Sequence, residues 1–310
     1  MKTYRFTLKL NSAFGTPLVG DSLFGQICWE IVHQFGENKL TELLDGYTNQ
    51  RPFLVVSDAF PNGYLPLPCL PSKYWVTGKE TDRKVLKKKQ WISLEERKQA
   101  VENWQTFAKA EKDLFEKIVA NQPHNTLDRQ TNTTGEGQFA PYSTSQIWYS
   151  PNTQLDLYCV IDESRLSISD LKQLLNNIGQ LGFGRDASIG LGRFEIENVE
   201  PFEANLSATY NAYLTLANCA PQGLDLHKDY CFYQLTTRFG RHGDIKALSE
   251  NPFKKPIILA KAGAVFTPHQ WQARLFLGNG LSGISKAQPN AVHQGYAPII
   301  PIHIDLARLG

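Results

Sequence analysis

Within its first 36 residues the chain changes its apolar period from two to about 3.6, and that change restricts the fold more than any other feature. Tyr4, Phe6, Leu8 and Leu10 alternate with Arg5, Thr7 and Lys9, the pattern of a strand with one buried face. After the Gly15-Thr16-Pro17 turn, Phe24, Ile27, Cys28, Ile31, Val32 and Phe35 keep helical spacing, in a helix that Asp21 or Ser22 would cap and Gly36 would end. A short helix over 39–44 and a mostly apolar strand over 53–56 follow. Further on, Leu155, Leu157, Cys159 and Ile161 predict an alternating strand. Leu171, Leu174, Leu175, Ile178 and Leu181 then predict one face of a helix capped by Ser169 or Asp170, before a last strand over 193–199.

Residues 76–144 interrupt this series. The 79–98 stretch carries eight basic and four acidic residues, including the run Lys87, Lys88 and Lys89, which taken alone reads as a solvated face. A helix is expected through Val101, Trp104, Phe107, Phe115 and Ile118. From 121 to 141 the chain turns to Asn, Thr, Gly, Gln and Pro, a loop or extended arm too long for a plain connector. With this insertion set aside, residues 3–199 read strand, helix, strand, strand, helix, strand, the split βαβ or ferredoxin-like order shared with RRM domains. Residues 206–310 hold strand-like runs at 212–216, 232–237, 257–265 and 274–277 without a strongly periodic helix. The expectation is an α+β chain of two domains, as 310 residues allow. The first, over 1–205, is ferredoxin-like with the insertion at about 76–144; the second, over 206–310, is strand-rich and RRM-like.

Composition sets the outer limits. At 42% hydrophobic and 20% charged the chain is ordinary globular material, and Lys plus Arg at 32 against Asp plus Glu at 30 leaves only +2. A polyanion would therefore have to be held by local clusters of charge. The first ten residues lack the basic start and apolar core of a secretory signal, and no run of about 18 apolar residues occurs, so a soluble cytoplasmic protein is expected. Cys28, Cys69, Cys159, Cys219 and Cys231 form no C-x-x-C pair and read as reduced core residues.

The sharpest motif is the 181–193 segment, Leu-Gly-Phe-Gly-Arg-Asp-Ala-Ser-Ile-Gly-Leu-Gly-Arg, with glycines at 182, 184, 190 and 192. Glycines let backbone N–H groups converge on a phosphate, and Arg185 and Arg193 could neutralise its charge. A dinucleotide loop must follow a strand and open a helix; here the order is reversed, and no G-x-x-x-x-G-K-[ST] occurs. A glycine-rich loop beside a sheet, suited to a nucleic-acid backbone, and a sharp turn with a helix cap both remain open. A second cluster, Gly278 to Gly283 followed by Lys286, either continues such a path or turns between strands, and Arg238, Arg241 and His242 read as a basic surface turn.

Taken in order, four blocks resemble one family: Gly-Asp-Ser-Leu-Phe-Gly-Gln at 20–26, Ser-Asp-Ala-Phe-Pro at 57–61 with Tyr-Leu-Pro-Leu-Pro-Cys-Leu-Pro at 64–71, His-Asn-Thr-Leu-Asp-Arg-Gln-Thr at 124–131, and the 181–193 loop. The chain is similar to the Cas5-group RAMP subunit of type III-A (Csm-type) CRISPR effectors, closely to about residue 200 and more diffusely beyond. The resemblance implies two RRM-like domains, no catalysis, no metal or other cofactor, and binding of the repeat-derived 5′ tag of crRNA with the inserted arm as a thumb. It implies as partners the large polymerase/HD subunit and the adjacent backbone RAMP subunit, target RNA indirectly, and no membrane. The RNA-binding residues it points to are Gly15, Gly20 and Ser22 before the first helix; His124, Asn125, Arg129 and Thr131 on the arm, with Phe139 and Tyr142 at its base; and Gly182, Gly184, Arg185, Ser188, Gly190 and Arg193. Single-stranded RNA calls for such a mixture of cations and planar groups.

The competing class is a metal-independent endoribonuclease that processes crRNA, since related RAMP proteins can cut guide precursors with a histidine, tyrosine or lysine as general acid and base and the 2′-hydroxyl as nucleophile. His33 is then the candidate by position, although it falls on the polar face of its helix; an interaction scaffold built on 64–71 is a third class.

Overall fold

The computed structural model describes residues 1–204, 209–243, 247 and 250–310. In chain order the elements are β1 (Lys2–Leu10), α1 (Gly20–Phe35), α2 (Glu37–Leu44), β2 (Leu54–Pro61), β3 (Tyr64–Pro66), α3 (Arg83–Leu86), β4 (Lys89–Ser93), α4 (Trp104–Phe107), β5 (Lys109–Ala110), β6 (Lys117–His124), β7 (Tyr142–Tyr149), β8 (Gln154–Ile161), α5 (Ile168–Leu181) and β9 (Phe194–Pro201). The strands β10 (Ala212–Thr215), β11 (Leu235–Arg238), β12 (Ile257–Ala260), β13 (Val265–Phe266), β14 (Phe276–Leu281) and β15 (His293–Ile302) complete the chain.

The expected strand-helix-strand-strand-helix-strand series is present as β1, α1, β2, β8, α5 and β9, and its strands form one antiparallel sheet in the order β2-β8-β1-β9. Phe6 and Leu8 of β1, with Leu155 and Leu157 beside them on β8, pack under α1 and α5 through Ile27, Ile31, Leu171, Leu174 and Ile178. β8 is more buried than its alternation implied. Asp156 and Tyr158, on the opposite face from Leu157, are also buried, because that face is covered by Phe60, Trp91 and Phe202.

Three local expectations are corrected. α1 starts after Val19 with no side-chain cap; Asp21 is instead buried in the first turn, where other partners take its carboxylate. α5 is capped by Ser167, whose Oγ accepts from the Asp170 N–H at 3.0 Å and donates to the Asp170 carboxylate at 2.7 Å, a reciprocal box closed two residues earlier than expected. The helix expected from Val101 to Ile118 is only the single turn α4; Ile118 lies in β6, which runs to His124, and 125–141 is the arm's loop between β6 and β7. β6 and β7 pair over their full length, from Lys117↔Tyr149 to His124↔Tyr142, as a two-stranded ribbon.

The second half is strand-rich, with β13-β10-β15-β14 as its main sheet, and among its described residues there is no α-helix, so the helix pair of an RRM-like domain is not found there. The boundary expected at residues 205–206 lies outside the described residues. The halves interlock: the Gln294 amide on β15 accepts from the Val56 N–H at 2.9 Å and donates to the Val56 carbonyl at 2.7 Å, continuing β2's edge with a side chain. Tyr296 joins the first core and donates to the Tyr47 carbonyl at 2.6 Å. No helix among the described residues is long and apolar enough to cross a membrane.

Candidate nucleic-acid interface

The loop between β1 and α1 is the hub on which the arm and the glycine-rich segment meet. Phe14 exchanges two backbone hydrogen bonds with Ile147 of β7, at 2.9 and 2.8 Å, and so fixes the base of the ribbon. Thr16 Oγ1 accepts from the Arg185 N–H at 3.4 Å, Ser12 Oγ accepts from the Arg193 N–H at 2.8 Å, and the Ala13 carbonyl accepts from the Gly192 N–H at 2.7 Å. Gln26, one helical face away on α1, donates to the Gly182 carbonyl at 3.0 Å and accepts from the Gly184 N–H at 3.3 Å. Gln26, Thr16 and Ser12 escaped the residue-level reading; Gln26 closes the 20–26 block, and only the fold shows what it braces.

This packing gives most of the glycines a structural reason. A Cβ at Gly15 would meet the Arg185 carbonyl, one at Gly182 the Leu191 carbonyl, one at Gly184 the Thr16 hydroxyl and one at Gly192 the Phe183 backbone; the last three also have positive φ. Gly190, with φ 96°, has open space around it. Gly20 abuts the Val56 and Ser57 carbonyls and brings α1 against β2. In the second cluster, Gly278 and Gly280 press on Gly295 and Tyr47, so they pack β14 against its neighbours and do not extend an open path.

The cations divide in the same way. Arg185 is half exposed, but its guanidinium donates to the Ser145 carbonyl on β7 and pairs with Asp186 at 3.2 Å, so it ties the arm to the glycine-rich segment. Arg193 and Arg129 are exposed and have no carboxylate within 4 Å among the described residues, as do the exposed Ser188, Asn125 and Thr131 lack a buried role. Thr131 bonds Thr133 at 3.0 Å in the small turn closed by Asp128 and Thr133, on which Arg129 sits. His124 bonds Thr144 at 3.1 Å and stacks on Tyr142 with ring centroids 5.2 Å apart. Tyr142 therefore stands at the outer end of the ribbon, not at its base: Ile147 is five positions further along β7, about 17 Å of strand. Ile118, Val119 and Trp148 are exposed along the same ribbon.

Gly20 and Ser22 do not join this group. They lie at a polar junction where α1 meets β2 and the second half. Arg238 donates to Asp21 and to Ser22 Oγ, both at 2.7 Å, Asn218 donates to Asp21 at 3.2 Å, and His293 Nε2 stands 3.5 Å from the same carboxylate. Burial alone would raise Asp21, but His293, Arg238 and Asn218 outweigh it and hold the acid down at about 2. Its neighbour Asp58, turned out of register by the bulge in β2, accepts from the Gly20 N–H at 2.8 Å; burial pushes it up to about 7, with the Asp21 charge adding to the rise. The basic turn expected on the surface is thus partly structural: Arg238 pairs with buried Asp21, and His242 is buried against Ser285.

The sheet face that an RRM would offer to RNA is partly covered. Phe60, Tyr158 and Asp156 are buried, and the uncovered part carries Lys9 paired with Glu195 at 3.0 Å and Arg5 paired with Glu200. A strand of phosphates would meet carboxylates there. The edge formed by the hub, the glycine-rich segment and the arm has no such acidic row.

His33 is half exposed near the end of α1, with Nδ1 3.6 Å from Glu30. Among the described residues no group of three His, Cys, Asp or Glu side chains is placed to hold a metal ion, and all five cysteines are unbridged.

Comparison with known proteins follows this geometry. The profile of the RAMP superfamily matches residues 5–195, from β1 into β9. The Streptococcus thermophilus "CRISPR system Cms protein Csm4" is 28% identical over 229 residues, covering 71% of this chain and 72% of that protein. Among solved structures, the Csm4-containing "Csm3-Csm4 subcomplex in the type III-A CRISPR-Cas interference complex" superposes with a TM-score of 0.60 at 16% identity over 98% of this chain and 100% of the other. A "Csm1-Csm4 cassette in complex with pppApA" gives 0.59 at 15% over 97% and 99%.

Proposed function

Because the chain belongs to the RAMP superfamily, we propose that it is a Csm4-like subunit of a type III-A CRISPR ribonucleoprotein, holding the 5′ repeat-derived tag of crRNA without performing catalysis. The observation that carries this reading is the β1–α1 hub, which binds the glycine-rich segment and the foot of the arm into one edge, while the sheet face is partly covered and carries Glu195 and Glu200 where it is open. On that edge Arg193, Ser188 and the open Gly190 face the RNA backbone. Arg129, Asn125, Thr131 and the His124–Tyr142 stack on the arm meet exposed bases, as single strands require. Gly15, Gly182, Gly184 and Arg185 act through the shape they give the edge. Residues 1–205 form the ferredoxin-like RAMP domain with its insertion at about 76–144, and 206–310 the second, strand-rich domain.

The partners are the large polymerase/HD subunit and the adjacent backbone RAMP subunit, with target RNA reached through the guide; the chain acts in the cytoplasm. Support for these partners comes from relatives described in complexes with Csm1 and Csm3.

The reading is tested with the purified subunit or its assembled complex and labelled tag RNA. Tag RNA should bind in preference to a scrambled sequence, and Arg129→Ala with Arg193→Ala should weaken it. The processing endoribonuclease is the alternative: tag-generating cleavage of repeat RNA in EDTA, abolished by His33→Ala, would replace the binding role.

A further inference from the structure

Exposed rings flank the β11–β12 ribbon: Phe239 and Phe253, and Tyr233, which rests one side on the buried Phe266 ring at 5.8 Å between centroids. Phe239 is 78% exposed, Phe253 64% and Tyr233 46%. Along β11 the side chains alternate: Arg238 turns inward to Asp21, while Leu235 and, beyond the strand, Phe239 stand out in solvent. The Arg241 guanidinium lies 5.9 Å over the Phe253 ring, donates to the Ala247 carbonyl at 3.1 Å and is itself exposed; Lys255 is exposed too, its ammonium donating to the Gly283 carbonyl at 2.8 Å. Residues 233–261 contain six Lys and Arg against two Asp and Glu, in a chain whose total is only 32 against 30. Rings interleaved with cations form the surface on which single-stranded nucleic acid stacks.

This surface adjoins the glycine-rich edge. Arg238 bonds Ser22 on α1 at 2.7 Å, and Gln26, one turn further along the same helix, bonds the Gly182 carbonyl at 3.0 Å. One turn is about 6 Å of helix. A strand lying on the glycine-rich segment can therefore cross the start of α1 onto Phe239 without leaving the molecule.

We propose that the β11–β12 ribbon is a second single-stranded RNA contact, on which unpaired bases stack against Phe239, Phe253 and Tyr233 while Arg241 and Lys255 meet phosphate. It rests on the reading of the chain as an RNA-binding subunit, and extends the RNA path from the first half into the second.

The test uses the full chain, alone and in its complex, with tag RNA substituted with 4-thiouridine. Crosslinks should map to peptides within 233–258, and Phe239→Ala with Phe253→Ala should weaken binding tenfold or more, while Phe239→Trp retains it and Phe239→Leu does not. Because these rings are exposed, thermal melting of the variants should match the parent. Unchanged affinity in the double variant, with Arg193→Ala still weakening the complex, overturns this inference and leaves the underlying reading intact. A double variant that keeps its RNA but loses a protein partner also overturns it, making the ribbon a protein-docking face. A parent that binds no tag RNA overturns the underlying reading and this inference with it.

Discussion

Asp21 looks like a cap and is instead the centre of a junction. Replacing it by Asn leaves Arg238 and His293 facing a neutral amide in a buried site, which should cost about 3 kcal/mol of stability, measured by chemical denaturation at pH 7. Its neighbour gives a prediction of opposite pH dependence. Asp58, held up at about 7, keeps its proton in the folded state where the unfolded chain has already released it, so its contribution falls as pH rises from about 4 to about 7. Asp58→Asn should remove that fall, stabilising the protein at pH 8 and leaving pH 4 little changed; a parent whose stability does not decline over that window contradicts the assignment. Asp21, held low, loses its contribution only as pH drops through about 2. None of this was legible in the sequence. Arg238, Asn218 and His293 are far from Asp21 along the chain, and an Asp before a helical pattern is locally indistinguishable from a cap.

At the scale of elements, what could be read from sequence was what buries one regular face. β1, α1 and α5 came through because their apolar residues keep a single period, while their starts were misplaced: Ser167 and Ser169 are both plausible caps, and only Asp170 closing on Ser167 decides. β6 is not legible as a strand, its first residues reading as helix and its last as a loop or extended arm, because its residues are nearly all exposed and leave no alternation to detect. Such a ribbon is marginal in isolation, and Phe14 and Arg185 hold it at its foot. Replacing 125–141 by a short Gly-Asn turn should therefore leave the melting temperature nearly unchanged while weakening tag RNA. Among the glycines, Gly184→Ala adds a Cβ against Thr16 at φ 76° and should lower stability by about 1–3 kcal/mol, whereas Gly190→Ala meets only its own backbone strain. The sequence listed these glycines as equals; their difference lies in what packs behind each.

Across the whole molecule the two halves are joined by backbone bonds, Asp58 N–H to the Leu216 carbonyl at 2.8 Å and Cys69 N–H to the Gly263 carbonyl at 2.9 Å, and by the side chains of Gln294 and Tyr296. Gln294 completes β2's edge, so Gln294→Ala leaves the Val56 N–H and carbonyl buried and unpaired, at about 2–5 kcal/mol, read from a denaturation midpoint. The order of the first domain was legible; the covering of its RRM-type face was not, because that depends on Phe60, Tyr158 and Phe202 meeting from distant parts of the chain, with Leu214 and Ile300 of the second half in the same cluster. On the proposed function, the nucleic-acid interface therefore lies on the loop edge and not on the sheet face. The direct test is the salt dependence of tag RNA affinity for the parent and for Arg129→Ala with Arg193→Ala. For single strands each neutralised phosphate adds about 0.7 to the slope of log K against log salt, so the double variant should bind more weakly with a slope shallower by about 1.4. Equal slopes and equal affinities for the two proteins would contradict an RNA interface on that edge.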